Sequence, residues 1–470
     1  MFPSKKTKII ATIGPASNSR EILEKIITKG VDCVRLNFSH GTHESHQNII
    51  DLTRSISRKL QKQVGIIADI QGPKMRVGKL PQEGLELKDG QVIKLDCDKK
   101  EYEGGVIPLP SDTFMEGVIV GATVFIDDGL LQVTITKKIG HTFEAKVIKG
   151  GKLFSNKGTN VPSLYIKDSI LNEKDTNDIK FAAKAGADYI ALSFLRNGQD
   201  VKDAKKLFVN TNIKVIAKIE RPEALENLDS IIAEADVIMI ARGDLGIETP
   251  MWELPLRQKE IIARMRSKMK PVIVATQMLD SMIRNPLPTR AEISDVANAV
   301  YDSTDVVMLS GETASGKYPV ETVEIMRKVL ESSETIHHGK RHSGEHHSAK
   351  LSLAGSATDI AFEIGAKAIL VKTFSGDSAR IISHFRPDVP IIAITSDSTT
   401  ACQLALVRGV TPFLVKKVSV KDINVFFNAA ISALQKEKIL GKGDSVVCLH
   451  NERVQFSGKV SVSTISVKYV

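Results

Sequence analysis

Eight short apolar runs, each followed by a longer stretch with helical patterning, constrain this chain more than any other feature. They are TKIIATIG (7–14), CVRLNFSHG (33–41), GIIADIQG (65–72), YIALSFLR (189–196), KVIAKIE (214–220), VIMIARGDLG (237–246), PVIVATQML (271–279) and VVMLSGETA (306–314). All are rich in Val, Ile, Leu and Ala, and in six of the eight the polar residues gather at the last few positions. Continuous apolar runs alternating with amphipathic helices mark buried parallel strands joined by crossovers. Eight of them predict a closed (β/α)8 TIM barrel rather than an open sheet. Their polar ends all lie on the C-terminal side, where barrel enzymes build their sites.

The third and fourth runs stand too far apart for one βα step. Between them, at 73–162, short alternating segments and DG, GG and IGH turns predict an inserted antiparallel β domain. Removing it leaves about 250 residues, the usual size of such a barrel. After residue 336, HHGKRHSGEHHSAK reads as a polar linker, its histidines spaced for no ordered metal site. Beyond it, AKAILVKTFSG, VPIIAITSD, TPFLVK, DSVVCLHN and TISVKYV alternate with helical stretches. The expected α/β organisation is a catalytic barrel from 1–72 and 163–340, an inserted β-barrel lid at 73–162, and a C-terminal α/β regulatory domain at 345–470.

Composition narrows the function classes. The formal charge is +9, but Lys and Arg mix with Asp and Glu nearly everywhere, without a basic arm or nucleic-acid motif. An enzyme of anionic phosphate substrates accounts for the excess, and no nucleic-acid partner is expected. No apolar run is long enough to cross a bilayer, so no membrane partner is expected either. Cys33, Cys97, Cys402 and Cys448 are scattered, which fits reduced thiols in a cytoplasmic protein.

The run ends carry the chemistry. Lys218 and Glu220 are two apart, so on a strand both face the same way, and buried Lys and Glu are rare unless paired or functional. A purely internal ion pair is the plain alternative. The next run ends in Asp244, flanked by glycines that let a backbone approach a ligand. Glu220 and Asp244 on adjacent strands form a hard-oxygen pair suited to Mg2+, with Lys218 placed to neutralise a transferring phosphoryl group. Alternation puts Arg35, Asn37 and Ser39 on one face, a phosphate fork beside oxygens suited to a monovalent cation. Asp69, Arg76 and Thr276 add further polar groups at the mouth. Each alone reads equally well as a satisfied core group.

In order along the chain, VRLNFSHG, IAKIE, ARGDLG, ATQML and SGETA resemble the pyruvate kinase family over nearly the whole length. The resemblance implies transfer of a phosphoryl group from phosphoenolpyruvate to ADP, giving pyruvate and ATP in the last step of glycolysis. It implies Glu220 and Asp244 as Mg2+ ligands, Lys218 as the charge that stabilises phosphoryl transfer, and Arg35 and Arg76 as phosphate contacts. Gly243, Asp244 and Thr276 would wall the substrate carboxylate, with Thr276 near the path of enolate protonation. Lys157, Arg76 and Asn37 would contact the nucleotide, Ser310 and Glu312 would belong to a hydroxyl–water relay, and a homotetramer is implied. A metal-dependent aldolase or lyase barrel, or a silent metabolite sensor, is the alternative.

Two local features qualify the resemblance. Family members that need potassium hold it with groups matching Asn37, Ser39, Asp69 and the carbonyl of Ile70. They carry a Thr at position 70, a Lys at 71 and a Glu at 74, where this chain has Ile70, Gln71 and Lys74. The Lys74 ammonium would supply the missing positive charge and repel a bound cation by several kcal/mol at about 4 Å in a dielectric near 20. K+ is therefore not expected to be required. In the C-terminal half, Thr373, Ser375, Gly376 and Ser378 match a loop that in the family often holds an effector phosphate. Asp377 adds a negative charge there, so a sugar or nucleotide monophosphate is expected rather than a bisphosphate, with plain helix capping as the alternative.

Overall fold

The computed structural model describes residues 5–162, 164, 170–336, 348–415, 422–456 and 458–470. The eight runs form the strands Lys8–Ile13, Cys33–Asn37, Gly65–Asp69, Tyr189–Leu192, Lys214–Ile219, Val237–Ala241, Val272–Ala275 and Val306–Leu309, here barrel strands one to eight. They close into a barrel in which every adjacent pair is parallel and strand eight returns to strand one. Strands are shorter than the apolar runs. Ser39 lies in a turn, Thr276 follows strand seven, and Asp244 sits in the helix Arg242–Glu248. Arg35, Asn37, Asp69 and Lys218 stay within strands, whereas Ser39, Thr276 and Asp244 are loop and helix residues mounted on them, as expected where backbone must leave the sheet to meet a ligand.

The segment between strands three and four builds a seven-stranded sheet and a two-stranded ribbon. Its strands pair antiparallel except where Val92–Asp96 meets Val106–Pro108, and the isolated bridge of Lys79 with Glu101 is also parallel. Its core includes an edge-to-face contact of Phe114 and Phe143, ring centres 5.1 Å apart. The C-terminal half is a five-stranded sheet in the order Val410–Leu414, Ile391–Thr395, Ala368–Lys372, Ser445–Phe456, Gly458–Tyr469, the last pair antiparallel. The His-rich linker expected after residue 336 lies, over 337–347, outside the described residues.

The barrel floor is closed by the C-terminal half. Ala405 and Leu406 join the interior cluster of Ile10, Ile67, Ile216 and Ile273, and the Tyr189 hydroxyl donates to the Gln403 carbonyl at 2.7 Å. The Lys8 ammonium donates to the Val410 carbonyl at 2.8 Å. Gly65 is needed for this approach, since a Cβ there would fall 2.6 Å from Cys33 Sγ and 3.1 Å from the Cys402 carbonyl. All four cysteines are buried and unpaired.

Asp32 anchors the same floor. Its carboxylate is paired with Lys5, lies 4.0 Å from Lys8 Nζ and accepts the Ile9 N–H at 2.9 Å. Burial pushes its pKa up, but Lys5 and Lys8 outweigh that and hold it below the ordinary value. A depressed carboxylate contributes stability that is complete above its unfolded pKa of about 3.9 and is lost as pH falls through the folded value. Asp32→Asn should cost about 3–5 kcal/mol at neutral pH, because it leaves buried ammonium groups unpaired. It should also flatten the acid limb of stability, read from urea midpoints at neutral pH and through the acid range; an unchanged limb would remove Asp32 from the acid response.

Candidate active site

A buried chain of alternating charges crosses the C-terminal mouth of the barrel. Strand register places Thr12 beside Arg35 and Asn37 beside Asp69. Arg35 Nε donates to Asp69 Oδ2 at 2.5 Å and its Nη1 to the Thr12 hydroxyl at 2.9 Å. Lys218 Nζ lies 3.3 Å from Asp69 Oδ1 and 2.8 Å from Glu220 Oε1, and it donates to the Ser193 hydroxyl at 2.8 Å. Asp69, Lys218 and Glu220 are all buried. Burial alone would lower the Lys218 pKa, but Asp69 and Glu220 reverse the sign and hold it above the usual range. Lys218 is thus a fixed cation at neutral pH and cannot act as a base.

Glu220 is asymmetric. Oε2 accepts the Phe194 N–H at 2.8 Å, whereas Oε1 faces Lys218 as an ion pair too misaligned for a hydrogen bond, leaving that buried oxygen without an aligned donor. Burial raises the Glu220 pKa, Lys218 pulls it down, and the nearby Asp244 charge raises it again; the net direction is upward. A divalent cation between Glu220 and Asp244 would satisfy the orphaned oxygen and relieve the carboxylate repulsion. Among the described residues no three His, Cys, Asp or Glu side chains converge as a cage. Two carboxylates with substrate oxygens completing the shell is the arrangement that hard divalent cations such as Mg2+ use.

Asp244 reaches the mouth from the helix after strand six and is held by Lys74, whose Nζ lies 2.7 Å from Oδ1. That ammonium also stands 5.9 Å from the Phe194 ring centre, and its stem packs where a Cβ at Gly158 would fall 2.8 Å from Cε. Lys74 therefore points into the site. The neighbouring wall is strained: Thr276, Gln277 and Phe194 have φ of +71°, +53° and +57°, uncommon for non-glycine residues and an outlier for β-branched Thr. The Thr276 hydroxyl accepts the Gly243 N–H at 2.7 Å and donates to the Ala275 carbonyl at 2.6 Å. The nearest atoms to a Cβ at Gly243 would be those of the Thr276 side chain, at 3.5 Å or more, so the protein itself has room for a Cβ there and the glycine keeps that space clear.

The remaining predicted residues fall into two groups. Asn37 Oδ1 accepts the Ser39 N–H at 3.1 Å and the Ile70 carbonyl accepts the Ser193 hydroxyl at 2.7 Å, both at the mouth. Arg76 donates to the Asn156 carbonyl at 2.9 Å, and with Arg35 it helps depress His40, after the larger effect of burial. Lys157, on the inserted domain, pairs with Asp127 at 2.8 Å. Glu312 accepts the Ser310 N–H at 2.6 Å and the Leu279 N–H at 3.2 Å, tying two loops together, while the Ser310 hydroxyl is buried without a partner. The loop of Thr373, Ser375, Gly376 and Ser378 lies in the C-terminal half. There Thr373 Oγ1 accepts the Gly376 N–H, Ser375 donates to Asp377 at 2.8 Å, and Arg380 pairs with Asp377. Sequence reasoning missed Ser193, the hydroxyl between Lys218 and the Ile70 carbonyl. Its only signal was a polar residue at the end of the fourth run.

Residues 4–323 match the family model of the pyruvate kinase barrel domain, and residues 352–466 that of the pyruvate kinase alpha/beta domain. Over 98% of its length the chain is 40% identical to a pyruvate kinase of Sporosarcina psychrophila, covering 80% of that protein. Over 94% it is 41% identical to pyruvate kinase 2 of Synechocystis sp., covering 76% of it. A pyruvate kinase of Agrobacterium vitis is 41% identical, with 94% of each chain covered.

Proposed function

This chain belongs to the pyruvate kinase family, and from that premise we propose how its own residues share the reaction. The enzyme is a phosphotransferase of glycolysis that carries the phosphoryl group of phosphoenolpyruvate to ADP, and its family works with a divalent metal. The aldolase, lyase and sensor alternatives fall with the family assignment.

Glu220 and Asp244 would hold the metal as Mg2+, which would supply positive charge to the phosphoryl oxygens. Lys218 adds a second, permanent charge there, pre-aimed by Asp69, Glu220 and Ser193, so no reorganisation is needed as charge shifts in the transition state. Arg35 and Arg76 hold phosphate groups, and Lys157 and Asn37 take the nucleotide. Gly243, Asp244 and Thr276 form the wall for the substrate carboxylate, and the Thr276 hydroxyl lies on the proton path to the enolate carbon. The inserted domain at 73–162, docked through Lys74 on Asp244 and Asn160 on Glu248 (3.0 Å), acts as a lid between the barrel segments 1–72 and 163–340 and excludes water from the phosphoryl donor. The observation that carries this reading is the charge chain Arg35–Asp69–Lys218–Glu220 ending on an orphaned carboxylate oxygen.

Around this core the reading extends outward. Met251, Trp252, Leu256 and Leu287 of the barrel are exposed, Trp252 by 83%, and the cost of leaving such side chains in water supports a homotetramer. No described helix is long and apolar enough to cross a membrane, and the buried thiols fit a cytoplasmic location. The 345–470 segment is the regulatory domain. Its 373–378 loop receives the phosphate of a sugar or nucleotide monophosphate, the Asp377 charge being offset by Arg380.

Lys218→Met should lower kcat about a hundred- to a thousandfold with little change in KM for phosphoenolpyruvate, since the charge is used mainly in the transition state. A coupled pyruvate assay on the folded variant decides it, and near-normal kcat would take Lys218 out of the mechanism.

Lys74 replaces the monovalent cation. Its ammonium is fixed inside the site, while both Asp69 oxygens and the Ile70 carbonyl already have partners. Exchanging K+ for a bulky organic cation at constant ionic strength should change activity little. Lys74→Glu should slow the enzyme without K+ and be partly rescued by it. Many-fold activation of the unmodified enzyme by K+ would sink this assignment.

For the 373–378 loop, a panel of sugar and nucleotide monophosphates at subsaturating phosphoenolpyruvate should contain an activator. A flat response would leave the loop as a helix cap.

A further inference from the structure

The floor of the barrel and the C-terminal half meet in a second charged cleft, far from the mouth chemistry. It is lined by Arg266 and Lys270, from the helix Leu254–Ser267 and its exit, and by Arg380 and Arg386 from the C-terminal half; Asp305, just before strand eight, is the only carboxylate among the described residues that line it. Arg408 lies close behind. The Lys270 ammonium donates to three carbonyls, of Ile232, Ala233 and Ala235, and Arg380 is paired with Asp377 and donates to the Ser375 carbonyl. Arg266 and Arg386 are not served this way. Arg266 Nε is buried without an acceptor. Arg386 gives one N–H to the Ser303 carbonyl at 2.9 Å, but its Nε has no acceptor, and its Nη1 faces Asp305 at 2.7 Å without hydrogen-bond alignment. Asp305 is already committed through its other oxygen to the Val272 N–H at 2.9 Å.

Buried guanidinium donors without acceptors are costly, and like charges brought together add to the cost. The strain shows in the cluster itself: burial and the neighbouring Arg386 lower Arg266, and burial with Arg386 brings Arg408 down to about 10. A planar fork with free N–H groups is the group best suited to a tetrahedral oxyanion. We propose that this cleft is an anion site in which Arg266 of the barrel and Arg386 of the C-terminal half together bind a phosphate-class oxyanion. Its occupant would bridge the two halves at the floor, beside the Asp305 that holds the start of strand seven, the strand leading to Thr276.

The test is calorimetric titration of the full-length protein with inorganic phosphate, and separately with glycerol 3-phosphate, at constant ionic strength. Arg266→Gln is the informative variant, because it removes one charge without breaking the Arg386–Asp305 pair. The barrel mouth and the 373–378 loop are unchanged in it, so their phosphate binding is common to both proteins. The native protein should show a binding component that Arg266→Gln weakens about tenfold or more, as loss of one charge-assisted bond predicts, and that Arg266→Lys partly restores. Equal response to the two probes assigns recognition to the phosphoryl group alone, and preference for the ester assigns the site to a phosphorylated metabolite. Superimposable isotherms for native protein and Arg266→Gln would overturn the proposal.

Discussion

Burying four charges in the mouth of a barrel is permitted only if they alternate, and the rest of the site follows from that order. Arg35, Asp69, Lys218 and Glu220 run cation, anion, cation, anion across strands two, three and five. Removal of any one would strand its neighbours in a medium where an uncompensated charge costs several kcal/mol. Because Asp69 is shared between Arg35 and Lys218, both cations are fixed in direction before any substrate arrives. Glu220 ends the chain, its Oε1 buried against Lys218 with no hydrogen-bond donor aligned on it.

Around this chain the backbone is bent to suit. Phe194 places its N–H on Glu220, and Thr276 places its hydroxyl on the Gly243 N–H; both residues sit at positive φ. Such conformations persist only where surrounding bonds over-determine them. Arg242 provides some of those bonds, donating to the Thr276 carbonyl at 2.8 Å while paired with Asp295. Glu312, in the helical turn after strand eight, ties the same loop through the Leu279 N–H. The inserted domain meets the barrel at the mouth through polar contacts that include Lys74 to Asp244 and Asn160 to Glu248, and contacts of that kind exchange readily with water or ligand.

The opposite end of the barrel is organised differently. Its interior is sealed by apolar residues of the C-terminal half, Ala405 and Leu406, and ringed by ion pairs of Asp32, Asp188 and Asp305 with Lys5, Arg54 and Arg386. Apolar burial fixes the two halves together, while the excess of guanidinium groups at one side of the seam leaves a charge imbalance for a ligand to relieve. One end of the barrel thus carries the buried charge chain and the other is fixed to the C-terminal half, with the eight strands between them.

What was legible in the sequence is what depends on local periodicity. Continuous apolar runs of strand length announced the parallel barrel, because a strand buried on both faces can tolerate little else. The spacing of Lys218 and Glu220 announced their convergence, because side chains two apart on a strand share a face. Arg35 and Asn37 were readable for the same reason. Ser39, Thr276 and Asp244 were readable as residues but not as geometry, since alternation ends with the strand and turns and helix ends take over. What only the tertiary structure decided are the contacts between segments distant in sequence. These are Ser193 under Lys218, Lys74 of the inserted domain on Asp244 of the barrel, the C-terminal plug beneath strands two and three, and Arg266 facing Arg386 across the floor. Periodicity specifies which face a residue takes, whereas the partner across that face is set by how whole elements pack.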